Sequence, residues 1–180
     1  MRVIAGIHRS RKLSMVDDPS TRETKDRVKE SMFNMIGPYQ VIDHVLDLFA
    51  GSGSLGIEAY SRGAKHVVFV DQSKKAINTI IKNTKDLSME PSIEILLRDG
   101  LAYLSQSKKQ FDLILLDPPY EKVSLEDCLN IIEKQTLLSE DGLIVLLTDQ
   151  HTKLTNHGTL QIIKQKRITR TNVILMKWGI

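Results

Sequence analysis

From residue 44 onward the chain alternates short apolar runs with amphipathic stretches. The runs at 45–49, 67–70, 93–97, 111–116 and 143–147 are rich in Val, Ile, Leu and Phe and break off within a few residues. Runs of that length without polar alternation predict parallel strands covered on both faces. Between them, residues 73–87 place Ile77, Ile80, Ile81, Thr84 and Leu87 at helical spacing, behind Ser73 as an N-cap. Residues 101–104 predict a short helix, and Leu125, Cys128, Leu129 and Ile132 form another helical stripe. Strands and helices in this alternation imply right-handed crossovers and a doubly wound α/β sheet. The end departs from the pattern. Strand candidates at 160–168 and 172–178 are separated by a gap too short for a crossover helix, which predicts an antiparallel hairpin. A dinucleotide-binding domain would instead continue into a second βαβαβ half.

The first forty residues read as a separate piece, dividing the chain into an extension at 1–40 and a main domain at 41–180. Residues 3–6 and 11–13 are expected to pair as short strands, and Asp17-Asp-Pro-Ser to turn. Thr24 is expected to cap a helix over 25–36, with Val28, Met32, Met35 and Ile36 on one face and Gly37-Pro38 as its stop.

Composition narrows the class. The chain has 180 residues, 41% hydrophobic and 26% charged, as expected of a globular domain of ordinary size. It contains no apolar run of about 18 residues and no signal-peptide pattern, so a cytoplasmic protein without a membrane span is expected. The single cysteine, Cys128, beside Leu129 and Ile132, reads as a buried structural thiol in a reducing compartment. His8, His44, His66, His151 and His157 show no ligand spacing, so no metal is expected. The net charge of +3 says little, but its distribution says more. Arg2, Arg9, Arg11 and Lys12 stand in an acid-free N-terminus, and Lys164, Lys166, Arg167 and Arg170 cluster near the other end. Such clusters attract polyanions, nucleic acid being the commonest, although a solvated surface or a disordered arm is equally open for either one.

The first strand opens into Asp47-Leu-Phe-Ala-Gly-Ser-Gly-Ser-Leu-Gly56, with glycines at G-x-G-x-x-G spacing. Such a turn bares backbone N–H groups at a helix start and lets a ligand approach closely. A pyrophosphate and a carboxylate both fit it, and plain turns share the spacing. Asp47 tips the balance. A carboxylate there repels a pyrophosphate and welcomes an ammonium group. S-adenosylmethionine carries an ammonium and a carboxylate on its methionine end, and a ribose whose hydroxyls an acid can bind. The cofactor set is therefore Asp47, Ala50, Gly51, Ser52 and Gly53 at the first turn, Asp71 and Gln72 after the second strand, and Asp99 after the third. Asp71 is expected to accept the ribose hydroxyls, with a turn role before Ser73 as the alternative. Asp99 reads equally as a partner of the adenine amine or as the N-cap of the following helix.

Asp117-Pro-Pro-Tyr120 follows the fourth strand, which places it at the carboxyl edge beside the glycine loop. Two prolines stiffen the turn, and Pro118 keeps Asp117 out of the helical region. The Asp117 carboxylate and the Pro118 carbonyl can then converge on one NH2 group. An exocyclic amine on a nucleobase is a poor nucleophile, because its lone pair is delocalised into the ring. Two acceptors on its hydrogens restore that lone pair, and Asp117 can take the proton. Asp117, Pro118, Pro119 and Tyr120 are the catalytic candidates, with Tyr120 stacking on the base. The plain alternative is a proline-rich turn.

This combination resembles the class I S-adenosylmethionine-dependent methyltransferases that act on exocyclic amines. Together with Arg2-Val-Ile-Ala-Gly6, Arg9-Ser-Arg-Lys-Leu13, Thr24-Lys-Asp-Arg-Val-Lys-Glu30 and Met32-Phe-Asn34, it is similar to the RsmD-type enzymes of bacteria, from the first residues to about 148. The resemblance implies a Rossmann-like sheet of seven strands, five parallel plus the C-terminal hairpin, flanked by helices. It implies methyl transfer to N2 of a guanine in 16S ribosomal RNA, with Asp117 and Tyr120 gripping the base. It also implies RNA contacts at Arg9, Arg11, Lys12, Arg22 and Arg27, with ribosomal RNA or the assembling small subunit as partner. The sequence departs from the family pattern at Glu23-Thr24-Lys25, and at Thr169-Arg-Thr171, where a Tyr-Gly element is usual. The rival readings are an adenine-N6 methyltransferase, an NAD-dependent oxidoreductase and a non-catalytic RNA chaperone. A monomer is expected.

Overall fold

All the apolar runs become strands in the computed structural model, which describes residues 1–18, 24–37, 41–119 and 123–179. The main domain begins with β1 (His44–Leu48), α2 (Ser54–Ser61), β2 (His66–Asp71), α3 (Lys74–Asp86) and β3 (Ile93–Leu97). It continues through α4 (Gly100–Gln106), β4 (Phe111–Leu116), α5 (Leu125–Gln135), β5 (Leu138–Asp149), β6 (Leu160–Ile168) and β7 (Thr171–Trp178). One helix, α1 (Asp26–Ile36), precedes them. The sheet order is β3-β2-β1-β4-β5-β7-β6. The first five strands are parallel, and β7 runs antiparallel to both β5 and β6. This is the seven-stranded arrangement expected, with the hairpin turned so that its second strand is the inner one.

Alternate side chains of each strand feed two cores. Val45, Leu113, Val145 and Val173 pack with α1, α2 and α3, while Leu46, Ile114, Ile144 and Ile174 pack with α4 and α5. Val3, Leu13, Val28, Met32 and Phe33 of the N-terminal segment belong to the first core. Cys128 is fully buried in the second, where desolvation pushes its thiol up to about 12. No helix among the described residues is long and apolar enough to cross a membrane.

Three expectations change in detail. The pairing of 3–6 with 11–13 shrinks to a single bridge, Arg2 with Lys12, because the chain turns back through Gly6 onto α2. The residue at the cap of α1 is Lys25, with no side-chain cap; the Thr24 hydroxyl is engaged elsewhere, with a carboxylate. β5 begins at Leu138, five residues before the apolar run, since Leu138 pairs with Phe111 ahead of a register shift, and the ladder resumes at Leu143 opposite Leu113.

Candidate active site at the carboxyl edge

β1 connects outward to β2 on one side and pairs β4 on the other, so the crevice of the sheet opens above β1 and β4. Ligands of open α/β sheets bind at such a switch point. Register carries Phe49, Asp71 and Asp117 to one level there, because Leu48 pairs with Val70 and with Leu116. Asp71 and Asp117 thus flank the glycine loop, each about 4.8 Å away laterally, one strand spacing. A cavity of 750 Å³ near Gly37, Asp43, Arg62 and Gly63 lies at the opposite edge, so concavity alone does not locate the chemistry.

The loop is shaped by steric demands. Phe49 takes φ 65°, and Gly53, the cap of α2, takes φ 78°. Gly56 serves another purpose. A Cβ there would strike the Phe69 ring and lie 2.9 Å from Val67 Cγ1, so its absence lets α2 seat against β2. Asp47 is 2% exposed beneath this helix and accepts the Gly56 N–H at 2.8 Å, satisfying a donor of the first turn. Burial pushes the Asp47 carboxyl well above the usual range; the Gly56 N–H opposes this, and the charges of Asp117 and Asp71 add to it. The fields of Asp71 and Asp117 raise the cost of charging Asp47, so the crevice is suited to a cationic ligand.

The other cofactor candidates are placed as follows. Ala50 and Gly51 are partly exposed, Ser52 and Gly53 are buried, and Gln72 is exposed. Asp71 accepts the Gly51 N–H at 2.9 Å and the Ser73 N–H at 2.8 Å, so its turn role is realised, with one oxygen turned to the loop. Asp99 accepts the Ala102 N–H at 2.9 Å, which realises its capping role. Ser73 caps α3 as expected, accepting from Ala76 N.

Asp117 is partly exposed at the end of β4, Pro118 is buried and Pro119 exposed. The Thr24 hydroxyl donates to Asp117 Oδ2 at 2.6 Å, tying the start of α1 to the candidate catalytic acid. Tyr120 and Arg22 lie outside the described residues. Arg27, in the first turn of α1, is exposed and follows Lys25 by two residues. Arg9, Arg11 and Lys12 are not brought to Asp117. Arg11 donates to the carbonyl of Asp86 at the end of α3, and Ile7 donates to the carbonyl of Ser61 at the end of α2, both at the opposite edge.

Four residues escaped the sequence reading. Thr24 was assigned to a cap. Asn83, 2% exposed, donates to the carbonyls of Ser14 and Ser52 and so fastens the N-terminal segment to the glycine loop. Lys29 and Glu58, both fully buried, form an ion pair at 3.6 Å. Glu58 also accepts from Ile4 N, Ala5 N and Arg62 Nε. The available signal was an acid alone in the apolar helix Leu55-Gly-Ile-Glu-Ala-Tyr60. Among the described residues no three His, Cys, Asp or Glu side chains converge as a metal site.

Comparison with known proteins gives a consistent picture. The model of the family described as conserved hypothetical protein 95 matches residues 1–177. Ribosomal RNA small subunit methyltransferase D of Haemophilus influenzae is 36% identical, covering 92% of this chain and 88% of that protein. YlbH of Bacillus subtilis, provisionally named an rRNA methyltransferase, is 42% identical over 98% of each chain. The solved structure of YhhF from Escherichia coli, provisionally named a methyltransferase, superposes with a TM-score of 0.89 at 28% identity, covering 99% of this chain and 98% of that one. The fold is that of a class I methyltransferase.

Proposed function

The chain belongs to the family of conserved hypothetical protein 95, the RsmD family, and on that premise we propose that it methylates N2 of a guanine in small-subunit (16S) ribosomal RNA, using S-adenosylmethionine. The observation that carries this reading is the juxtaposition at the sheet switch point. A glycine loop over a buried acid stands one strand from Asp117, the acid that opens Asp117-Pro-Pro-Tyr120. The name of the relative from Haemophilus influenzae supports the RNA class, and the crowded carboxylates support a cationic cofactor.

In this reading Asp47, Ala50, Gly51, Ser52, Gly53, Asp71, Gln72 and Asp99 hold the cofactor. When bound, it supplies an electrophilic methyl group on a sulfonium. The Asp117 carboxylate accepts a hydrogen bond from the guanine amine, localises the nitrogen lone pair, and takes up the proton released. Pro118 and Pro119 fix the turn that aims the carboxylate, and Tyr120 stacks on the extruded base. Positioning supplies most of the acceleration, since the group transferred brings its own reactivity. Residues 1–40 form the RNA-contacting extension and residues 41–180 the transferase domain. Arg27 serves next to the target, Arg9, Arg11 and Lys12 touch RNA farther along, and Arg22 is a further RNA contact. We further place the protein in the cytoplasm as a monomer without a metal.

Incubating a small-subunit rRNA transcript and the assembled small subunit with labelled cofactor, followed by mass spectrometry of nucleosides, tests the assignment. N2-methylguanosine is expected; N6-methyladenosine, or no label in RNA, overturns it. Asp117→Ala is expected to lower transfer by ~10²–10⁴-fold while S-adenosylhomocysteine still binds, because the lost contact is to the amine. Turnover close to wild type removes Asp117 from the chemistry.

A further inference from the structure

The C-terminal hairpin carries a charge pattern that the transferase chemistry does not use. Residues 160–178 contain Lys164, Lys166, Arg167, Arg170 and Lys177 and no acid. Their positions along the sheet are not equivalent. Leu116 pairs with Leu146, Leu147 with Val173, and Val173 with Lys166, so Lys166 sits at the level of Asp117. Three strand spacings separate β4 from β6, about 14 Å. Arg167, Thr169 and Arg170 continue beyond that level, where Ile168 and Thr171 close the hairpin. At about 3.3 Å per residue, the turn rises roughly 10 Å above the floor on which Asp117 stands. Lys166, Arg167, Thr169 and Arg170 are all exposed. Among the described residues none of the three cations has a carboxylate within salt-bridge distance. The neighbouring acid of β5, Asp149, is turned into its own loop, accepting from His151 N and from Thr152.

Two members of the cluster serve other ends. Lys164 donates to the carbonyl of Met35 and closes the C-terminus of α1. Lys177 lies near the opposite edge, its partner being Gln161. Lysines on an edge strand also guard against edge-to-edge pairing. That role does not account for Arg170, which stands in the turn. Nor does it require arginines, whose planar fork suits phosphate oxygens.

We propose that Lys166, Arg167 and Arg170 form a cationic wall beside the active site that binds the phosphate backbone flanking the target nucleotide. This rests on the reading of the protein as an RNA methyltransferase. A base entering the crevice toward Asp117 brings its own strand alongside the wall, within a few nucleotides. The N-terminal cations Arg9 and Arg11, at the opposite edge, cannot take that place.

The test is the salt dependence of binding to a small-subunit rRNA transcript, measured by fluorescence anisotropy, with S-adenosylhomocysteine binding and thermal unfolding as controls. For the triple variant Lys166→Ala, Arg167→Ala, Arg170→Ala, the slope of log K against log salt should fall by about 2, at ~0.7 per single-strand phosphate contact. Binding at ~0.15 M salt should weaken by roughly fifty-fold on the same rule. Arg170→Ala alone should lower the slope by about 0.7, which keeps the test open if the triple variant folds poorly. Lys177→Ala, a charge removed from the far end of the same hairpin, should leave the slope as it is. A triple variant with the wild-type slope, or a Lys177→Ala change as large as that of Arg170→Ala, overturns the proposal while the transferase assignment stands. Wild-type protein that neither binds nor methylates the transcript overturns both.

Discussion

Replacing Glu58 by glutamine removes one charge and almost no volume from the interior. In the wild type its carboxylate faces Ile4 N at 2.8 Å, Ala5 N at 3.0 Å, Arg62 Nε at 2.8 Å and Lys29 Nζ at 3.6 Å. A glutamine amide turns an NH2 toward donors and leaves the Lys29 ammonium fully buried, with the carbonyl of Arg2 as its hydrogen-bond acceptor. Breaking a buried pair from one side costs about 3–5 kcal/mol. For a domain of this size each kcal/mol lowers the melting temperature by ~2–4 °C, so a drop of roughly 10 °C is expected. Lys29→Met is a different perturbation. Burial lowers the Lys29 pKa even though Glu58 pulls it upward, so desolvation of the ammonium outweighs the attraction of its partner. Removing the cation leaves Glu58 with three remaining donors, and a loss of about 1 kcal/mol or less is expected. The double variant Lys29→Met, Glu58→Gln should be more stable than Glu58→Gln alone, since no uncompensated ammonium remains. Thermal and urea unfolding of the three proteins measure this cycle. Equal losses for the two single variants, or a larger one for Lys29→Met, would refute the reasoning that the carboxylate is the hub.

Asp47→Asn should separate stability from cofactor binding. Burial raises the pKa of the Asp47 carboxyl well above the usual carboxylate range, so folding favours its protonated form, and the stability it contributes at low pH is lost as pH rises through the folded value. The asparagine variant keeps an acceptor for Gly56 N without that loss, so the ligand-free variant should melt higher than wild type at pH 8 and similarly at pH 3, while cofactor affinity falls about 10–100-fold for a lost charged contact. Wild type that melts at or above the variant at pH 8 contradicts the burial argument. Gly56→Ala should destabilise by about 1–3 kcal/mol and weaken S-adenosylhomocysteine binding in calorimetry, because α2 must move off Phe69 and Val67; an unchanged protein would mean that the helix has room.

Much of the architecture was legible because it is written in apolar runs. The bounds of β3 and β4 coincide with runs at 93–97 and 111–116, and the stripe from Ile77 to Leu87 places α3 correctly. Hydrophobic pattern says nothing where a strand is polar, so the start of β5 at Leu138 was not visible. The glycine spacing located the loop, but not the division of labour within it, in which one glycine supplies a positive φ and another clears space for Phe69. The residues missed share one property: each is polar, and its partner is far away in sequence. Thr24 meets Asp117 across 93 positions, Ser14 meets Asn83 across 69, and Ile4 meets Glu58 across 54. A lysine such as Lys29 reads as a surface residue in any one-dimensional pattern, because only the fold supplies its carbonyl and its carboxylate.

Several long-range polar contacts, that of Ile4 with Glu58 among them, converge on α2. Its first turn rests on Asp47, its middle carries Glu58, and its last residue, Ser61, accepts from Ile7 N and His8 N and donates to the carbonyl of Ala5. The helix that opens the glycine loop is thereby also the anchor of residues 4–8. Lys29 ties the same hub to α1, the helix whose start places Thr24 on Asp117. From the loop through α2, Glu58, Lys29 and α1 to Asp117, each step is a hydrogen bond, an ion pair or a continuous helix. Glu58 is thus linked by contacts to the candidate catalytic acid through α1 and to the glycine loop through α2. The buried pair, which desolvation makes a poor source of stability by itself, is explained by what it fastens together.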